Sequence, residues 1–371
     1  MGNYFDAFRI DHILGFFRIW SSPAHAVEGI LGYFVPAIAL VEQEFTERGI
    51  VFDPARFTRP FITDAVLEDI FGRESKRARN EFLLATGGGH YQLKPEFATQ
   101  RQVENYFAAP SFAQSPLEVQ IKLGLFDLIS NVILLAADGK FHFRFAMEHT
   151  SSFKNLPPDV QPKLRELYVD YFFRRQDEFW RREAMKKLPA LKRVTNMLIC
   201  GEDLGLVPAC VPEVMSGLGF LSLEIQRMPK NPGQEFSRPS DAPYLSVVTP
   251  GTHDMSTIRG WWTENRAFSQ NFFNNELGRS GVAPVECEPE IVEAVVRQHL
   301  ASPAMWSIFQ LQDLLGVDGK LRRADVEAER INIPALPDFY WRYRFHLNLE
   351  QLAKEKEFNS HLVELIRDSG R

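Results

Sequence analysis

The chain has 371 residues, of which 45% are hydrophobic and 24% are charged, and its formal net charge is −6. That length allows two or three average domains, or one α/β barrel with an insertion. The mild negative charge, without a basic stripe, argues against nucleic acid as the main partner.

The first part of the chain predicts one short strand and then a largely helical region. Residues 8–10 are an apolar run that ends at Asp11, which is typical of a short buried strand. Aromatic and polar residues alternate over 141–145, which predicts a second strand. Helices are predicted over 28–46, 63–71, 100–107 and 116–137. We interpret 25–155 as a mostly helical insertion that follows a barrel segment at 1–24.

The second part of the chain, 156–371, predicts strands that alternate with helices. It opens with a long amphipathic helix over 157–188, whose apolar residues recur at helical spacing. Strands are then predicted over 194–200, 220–226, 244–248 and near 305–310, with a helix near 289–299 and a helical tail from 340 onward. This alternation predicts an α/β fold of the (β/α)8 TIM-barrel type, although the visible strands are fewer than the eight of a closed barrel.

Cysteine usage and hydropathy bear on the compartment. The three cysteines, Cys200, Cys210 and Cys287, have no CxxC spacing, so neither a disulfide framework nor a zinc site is predicted. A reducing cytoplasm fits this pattern best. The first residues lack the basic and apolar regions of a signal peptide, and the longest uncharged run, near 128–137, is too short to span a bilayer. We therefore expect no membrane partner.

Three short motifs place a carboxylate just after an apolar run. They are Phe-Arg-Ile-Asp-His with Asp11, Gly-Glu-Asp-Leu-Gly with Glu202, and Thr-His-Asp with Asp254. Glycosidic-bond chemistry uses paired carboxylates, one as nucleophile and one as acid and base. Taken singly, Asp11 fits a turn or helix N-cap, Glu202-Asp203 the acidic first turn of a helix, and His253-Asp254 a hydrogen-bonded pair. The order of the three motifs favours a shared site.

Longer stretches around these motifs resemble glycoside hydrolase family 77, the 4-α-glucanotransferases, also called amylomaltases or disproportionating enzymes. Residues 8–20 are similar to the nucleophile strand of the cytosolic, plant-type disproportionating enzymes, and 252–262 are similar to their third motif. Three more stretches resemble C-terminal signatures of that subfamily: 311–316, 330–334 and 340–344. The long separation of Asp11 and Glu202 also matches that subfamily, which carries a large insertion there.

The resemblance implies a retaining transfer of glucosyl or maltosyl units between α-1,4-glucans, with maltose and glucose among the sugars handled. It implies that Asp11 is the nucleophile, that Glu202 is the general acid and base, and that Asp254 holds ring hydroxyls. No cofactor and no catalytic metal are predicted.

Three further residues are predicted to bind substrate or support the carboxylates. Arg9 lies two positions before Asp11 on the same strand, so both side chains point to one side. His253 would add a hydrogen bond. Asn332 matches a sugar-contacting position of the family, although Asn before Ile-Pro is also ordinary loop chemistry. The aromatic residues Trp20, Trp261 and Trp262 could stack on sugars, yet such residues more often belong to the core.

In that family the nucleophile lies on the fourth barrel strand. The resemblance therefore implies an N-terminally truncated member that contains the C-terminal part of the barrel, from strand four onward. Two alternatives follow. The chain could be an inactive fragment, or one that depends on a complementing chain to supply the missing strands. It could also be an α-glucan hydrolase.

Overall fold

The computed structural model describes residues 2–108 and 115–371, which form two compact units. Unit 1 contains 2–14 and 187–371, and unit 2 lies between them in sequence, at 15–186. The sequence suggested divisions after 24 and after 155. In the structure, 15–24 belong to unit 2, where they supply a strand that pairs within that unit. The helices over 156–186 also belong to unit 2.

The strands within the described residues are short. They are β1 (Ala7–Ile10), β2 (Ile19–Ser21), β3 (Tyr33–Val35), β4 (Ile62–Thr63), β5 (Leu83–Gly87), β6 (His90–Leu93), β7 (Leu134–Ala137), β8 (Lys140–Phe143), β9 (Leu198–Gly201), β10 (Ser222–Ile225), β11 (Ser246–Thr249) and β12 (Trp306–Ser307).

The helices range from one turn to about four turns. They are α1 (Glu42–Thr46), α2 (Pro54–Thr58), α3 (Asp64–Phe71), α4 (Ser75–Phe82), α5 (Gln100–Phe107), α6 (Pro116–Ser130), α7 (Ser151–Lys154), α8 (Val160–Phe173), α9 (Asp177–Met185), α10 (Leu188–Arg193), α11 (Cys210–Leu218), α12 (Ile258–Glu264), α13 (Arg266–Asn271), α14 (Pro289–Leu300), α15 (Leu311–Leu315), α16 (Leu349–Leu352) and α17 (Lys356–Asp368). Among the described residues, no helix combines the length and apolar character needed to cross a bilayer.

The strands of unit 1 run parallel and follow one another in space. β1 pairs with β9, with Ile10 opposite Gly201, while β10 pairs with β11 and β11 with β12. A parallel bridge between Cys200 and Leu221 joins these two groups, so the order is β1-β9-β10-β11-β12. All four residues of β11 are buried, as expected for a parallel strand covered on both faces.

Glycine occupies position 201, the last of β9, where the packing leaves no room for a side chain. A Cβ atom at this position would lie 2.7 Å from Ile13 Cδ1 and 2.9 Å from Met215 Cε. The close contact brings the turn after β1 against the end of β9. That same contact places the residues after both strands side by side.

The helices of unit 1 bury a second core beside the strands. Trp262 of α12, Val292 of α14 and Leu315 of α15 lie in one apolar cluster with residues of α17. Thr257 caps α12 because its Oγ1 accepts a hydrogen bond from the Gly260 N–H at 3.3 Å. The loop before α12 is therefore fixed at its C-terminal end.

Unit 2 contains small antiparallel sheets and helices around its own core. β2 pairs with β3, β7 with β8, and β6 lies between β4 and β5. Helices α3 to α6 enclose an apolar cluster. The buried Gln100 side chain ties its loops together, because its Oε1 accepts from the N–H groups of Val27 and Glu28 at 2.9 Å.

Several predicted helices differ from the structure. The helix expected over 28–46 is instead β3 followed by α1, because Tyr33-Phe34-Val35 pairs with β2 and Pro36 follows. The helix expected over 116–137 ends at Ser130. Its last residues form β7, which turns at Asp138-Gly139 into β8, a strong hairpin signal.

The long helix and the helical tail are also shorter than expected. The helix predicted over 157–188 is divided into α8 and α9 at 174–176. The backbone leaves helical geometry at Arg174, with φ of −129° and ψ of −69°. The side chain of Gln176, just after this break, exchanges hydrogen bonds with the backbone of Ile38 at 2.8 and 2.9 Å. The tail predicted from 340 is non-helical up to Asn348, whose side chain caps α16 by accepting from Gln351 N.

Candidate active site

The carboxylates of all three motifs lie at the carboxyl ends of parallel strands in unit 1. Asp11 follows β1, Glu202 follows β9, and His253 and Asp254 lie in the loop after β11. The Glu202 N–H donates to Ile10 O at 2.9 Å, which continues the ladder to the last residue before Asp11. Because parallel strands end at the same edge, the fold gathers these side chains.

Asp11 is paired with Arg9. The guanidinium Nη2 lies 2.6 Å from Asp11 Oδ1, as expected for alternate residues on one face of a strand. The Asp11 side chain is 62% exposed, so the carboxylate is both charge-compensated and accessible.

Glu202 is oriented by two backbone N–H groups. His12 N donates to Oε2 at 2.9 Å and Leu204 N donates to Oε1 at 3.0 Å. His12 adopts a left-handed conformation with φ of 55°, which is uncommon for a residue other than glycine. This conformation turns the chain directly after Asp11, at the residue whose N–H donates to Glu202. The backbone after the first carboxylate thus fixes the second.

His253 connects Asp254 with Asp11. Its Nε2 lies 3.2 Å from Asp254 Oδ2 and 3.9 Å from Asp11 Oδ2. The other oxygen of Asp254 accepts from Asn332 Nδ2 at 2.8 Å. The structure therefore brings together five of the six predicted site residues through side-chain contacts, and Glu202 joins them through the backbone of His12.

Asp203 differs from its predicted role at a helix start, because the next helix, α11, begins only at Cys210. Asp203 is 2% exposed and accepts from Leu223 N at 2.9 Å and from Lys230 Nζ at 2.8 Å. Burial raises the pKa of Asp203, and Lys230 opposes that shift. Asp203 anchors the Glu202 loop to β10.

A half-buried arginine supports the loop that carries Asp254. Arg227 donates to the carbonyls of Pro250 at 2.9 Å and Thr257 at 3.3 Å, and it also contacts the Ser256 carbonyl. A Cβ atom at Gly251 would lie only 2.3 Å from the guanidinium. Burial lowers the pKa of Arg227 to about 10. Both ends of the loop are thus held by one side chain.

Two buried carboxyls hold the start of α12, just after this loop. Asp313 Oδ1 accepts from Ile258 N at 2.8 Å, and burial raises the pKa of Asp313 to about 6. Glu329 accepts from Thr257 Oγ1 at 3.0 Å and forms a buried ion pair with Arg259. Burial raises the pKa of Glu329 as well, against the opposing charge of Arg259.

Trp341 was not among the site residues predicted from the sequence, where other tryptophans were considered as stacking residues. Its ring centroid lies 5.2 Å from that of His253, at an interplanar angle of 45°. By contrast, Trp262 is fully buried, Trp261 packs on Phe272, and Trp20 lies in unit 2. The cluster of aromatic residues in 339–343 is the sequence signal that could have indicated a binding segment here.

A cavity of about 380 Å³ adjoins these residues. Its walls are mainly apolar side chains of the parallel strands, and Arg9, Thr252 and His253 contribute polar groups. Over 2–108 and 115–371, no three His, Cys, Asp or Glu side chains are grouped to hold a metal ion. The carboxylates instead face Arg9, Asn332 and backbone N–H groups, an arrangement suited to binding a neutral, hydroxyl-rich molecule and to acid–base and nucleophilic chemistry on it.

Comparison with known proteins places the chain beside enzymes of α-glucan transfer. Residues 1–349 match the family model described as 4-alpha-glucanotransferase. Rice (Oryza sativa subsp. japonica) 4-alpha-glucanotransferase DPE2 is 42% identical over 376 residues, which cover 100% of this chain and 40% of the rice protein. The Chlamydia pneumoniae 4-alpha-glucanotransferase is 28% identical over 50% of this chain and 35% of its own length.

Among solved structures, the amylomaltase from Streptococcus agalactiae in complex with acarbose matches with a TM-score of 0.40 and 22% identity. The match covers 52% of this chain and 35% of that one. The amylomaltase from Corynebacterium glutamicum matches with a TM-score of 0.33.

Proposed function

The chain belongs to the 4-alpha-glucanotransferase family, and we propose that it transfers glucosyl or maltosyl units between α-1,4-glucans with retention of configuration. The chain spans about 40% of the length of its rice relative. Family membership makes the fold an α/β fold of the TIM-barrel type. We propose that β1, β9, β10, β11 and β12 are one arc of that barrel, with β1 in the fourth position.

The observation that carries this proposal is the joining of Asp11 and Glu202 across neighbouring parallel strands. Both carboxyls follow paired residues at the same strand edge, and His12 N–H links the turn after Asp11 to Glu202. Retaining enzymes use two carboxyls roughly 5 Å apart, one as nucleophile and the other as acid and base. A ladder that ends at both residues is suited to hold such a pair.

In the first step, an Asp11 oxygen would attack the anomeric carbon while the glycosidic C–O bond breaks. Glu202 would give its proton to the leaving oxygen, and a glucosyl ester on Asp11 would result. In the second step, the acceptor hydroxyl would attack that carbon and give its proton to Glu202, and the bond to Asp11 would break. Two inversions retain the configuration.

Arg9, Asp254, His253 and Asn332 would support these steps. Arg9 would keep a positive charge beside the attacking carboxylate. Asp254 and His253 would accept and donate hydrogen bonds to ring hydroxyls as positive charge develops on the sugar. Asn332 donates to Asp254, so we assign it the orientation of that carboxylate in addition to any sugar contact. Maltose, glucose and longer α-1,4-glucans are the proposed sugars, and the cytoplasm is the proposed compartment.

The test is an activity assay on the purified 371-residue chain with maltose plus glycogen, followed for released glucose and for lengthened glucans. Lengthened products with little net hydrolysis would support transfer. Net gain of reducing ends without lengthening would favour an α-glucan hydrolase. No turnover, with a folded circular-dichroism spectrum, would overturn the proposal in favour of an inactive or partner-dependent chain.

A further inference from the structure

We propose that Trp341 is a stacking platform for a glucosyl ring next to the reacting one. This inference rests on the proposed function, because it names how the same site would hold an α-1,4-glucan. It assigns a binding role to a side chain outside the carboxylate motifs.

The first support is the exposure of the indole. Trp341 is 59% exposed, whereas the other five tryptophans are buried or half-buried. Placing an indole in water is unfavourable by the hydrophobic effect, since a Trp side chain carries a large apolar surface. Within the part of the chain that the structure describes, its Nε1 has no hydrogen-bond acceptor, while the Nε1 of Trp262 donates to Pro284 O at 3.0 Å. The Trp341 N–H is free for a ligand hydroxyl.

The second support is the place of the ring. Trp341 contacts His253, and His253 in turn lies between Asp254 and Asp11. A sugar bound against the exposed indole would therefore be adjacent to a sugar whose anomeric carbon is near Asp11. The contact with His253 also limits the motion of the indole, so less conformational entropy is lost when a ligand binds.

The third support is the match between surface and ligand. The C–H groups of a pyranose ring form an apolar patch, and an aromatic face gains contact area from covering it. The site around the ring supplies polar partners for the hydroxyls, from His253, Asp254 and Asn332. This combination of an apolar wall with a few fixed polar groups is typical of small-molecule sites.

The experiment is tryptophan fluorescence with acrylamide as a neutral quencher, measured with and without maltotriose. Because Trp341 is the one tryptophan of the six that is exposed, we expect saturating maltotriose to reduce the accessible, quenchable fraction. Trp341→Ala should weaken maltotriose binding about tenfold, and Trp341→Phe, which keeps an aromatic face, about threefold. Both variants should have a smaller accessible fraction than the wild type, which maltotriose no longer reduces, and should retain the melting temperature.

Tyr244→Ala is the matched control, since Tyr244 is 65% exposed but precedes β11, at the end of the strand opposite to His253. Its affinity for maltotriose should equal that of the wild type. If maltotriose binds the wild type but neither shields Trp341 nor binds Trp341→Ala more weakly, the platform is overturned and the proposed function stands. If maltotriose does not bind the wild type at all, both are overturned.

Discussion

The two sides of the candidate site are held in place by different means. Asp11 and Glu202 are positioned by the strand ladder and by backbone N–H groups, and the side chains next to Asp11 are Arg9 at 2.6 Å and His253 at 3.9 Å. The loop that carries Asp254 is held instead by charged side chains, among them the half-buried Arg227 and the buried Glu329. The first side should therefore tolerate substitution without unfolding, whereas the second side should link the site to the stability of unit 1.

The largest effect on activity should come from substituting Asp11, on the side of the site that the strand ladder positions. Asp11→Asn should lower transfer by more than about a thousandfold, since an amide cannot act as the nucleophile. The melting temperature should stay within error, because the side chain is exposed. Maltose disproportionation and a thermal melt check both. Asp6→Asn, at the opposite end of β1, is the control and should leave both unchanged. Near-normal turnover of the Asp11→Asn variant would show that this carboxylate is not the nucleophile.

On the side of the site that carries Asp254, Glu329→Ala should reduce the free energy of unfolding by about 3 kcal/mol or more, because it leaves the buried Arg259 charge without its partner. Urea denaturation measures this. The exposed pair of Arg297 and Glu293 provides the comparison, and Arg297→Ala should cost less than about 1 kcal/mol. The double variant with Glu329→Met and Arg259→Met, which removes both charges, should recover part of the loss. Equal losses of unfolding free energy for Glu329→Ala and Arg297→Ala would contradict the supporting role of Glu329.

On the side that carries Asp254, the buried Asp313 should make the stability of the fold depend on pH. Burial raises its pKa from the ordinary 3.8 to about 6, so the folded chain binds this proton more tightly than the unfolded chain. The stabilising contribution is then complete below about pH 4 and declines as the pH rises towards about 6, by up to roughly 3 kcal/mol.

Asp313→Asn should remove that decline while keeping an oxygen to accept from Ile258 N. Urea unfolding of both chains at several values from pH 4 to 7 gives the difference curve, and Asp325→Asn, on an exposed carboxylate, provides the control. A difference curve that is flat across this range, or that rises for the wild type, would contradict the assignment.

The smallest effect on activity is expected at His12, where two substitutions distinguish the role of the backbone from that of the imidazole. The left-handed conformation there suits glycine and opposes a β-branched residue. His12→Gly should keep activity within about twofold, whereas His12→Val should lower it about tenfold by moving the N–H away from Glu202. Initial rates of glucose release measure both. If both substitutions reduce activity equally, the imidazole rather than the backbone is what matters.

Local patterns in the sequence predict the strands of unit 1 that carry the site. The strands predicted over 194–200, 220–226 and 244–248 overlap β9, β10 and β11, because short apolar runs between loop residues are a local signal. The expected nearness of Arg9 and Asp11 is equally local. The catalytic and binding roles of the motif residues stay predictions.

What escaped prediction depends on contacts between residues distant in sequence. The hydrogen bond from Asn332 to Asp254, the anchoring of Asp203 by Lys230 and the contact of Trp341 with His253 all depend on the tertiary fold. The helix expected over 28–46 failed for the related reason that pairing of β3 with β2 overrides helical propensity.

The pairing of β1 with β9 has a consequence for the order of folding. All of 15–186 lies between these adjacent strands. Closing so long a loop is entropically unfavourable and slow while that segment is unfolded. Unit 2 should therefore fold before β1 joins β9, and Asp11 would reach Glu202 only in the last stages of assembly. In kinetic terms, the appearance of catalytic competence during refolding should lag behind the recovery of helical circular dichroism.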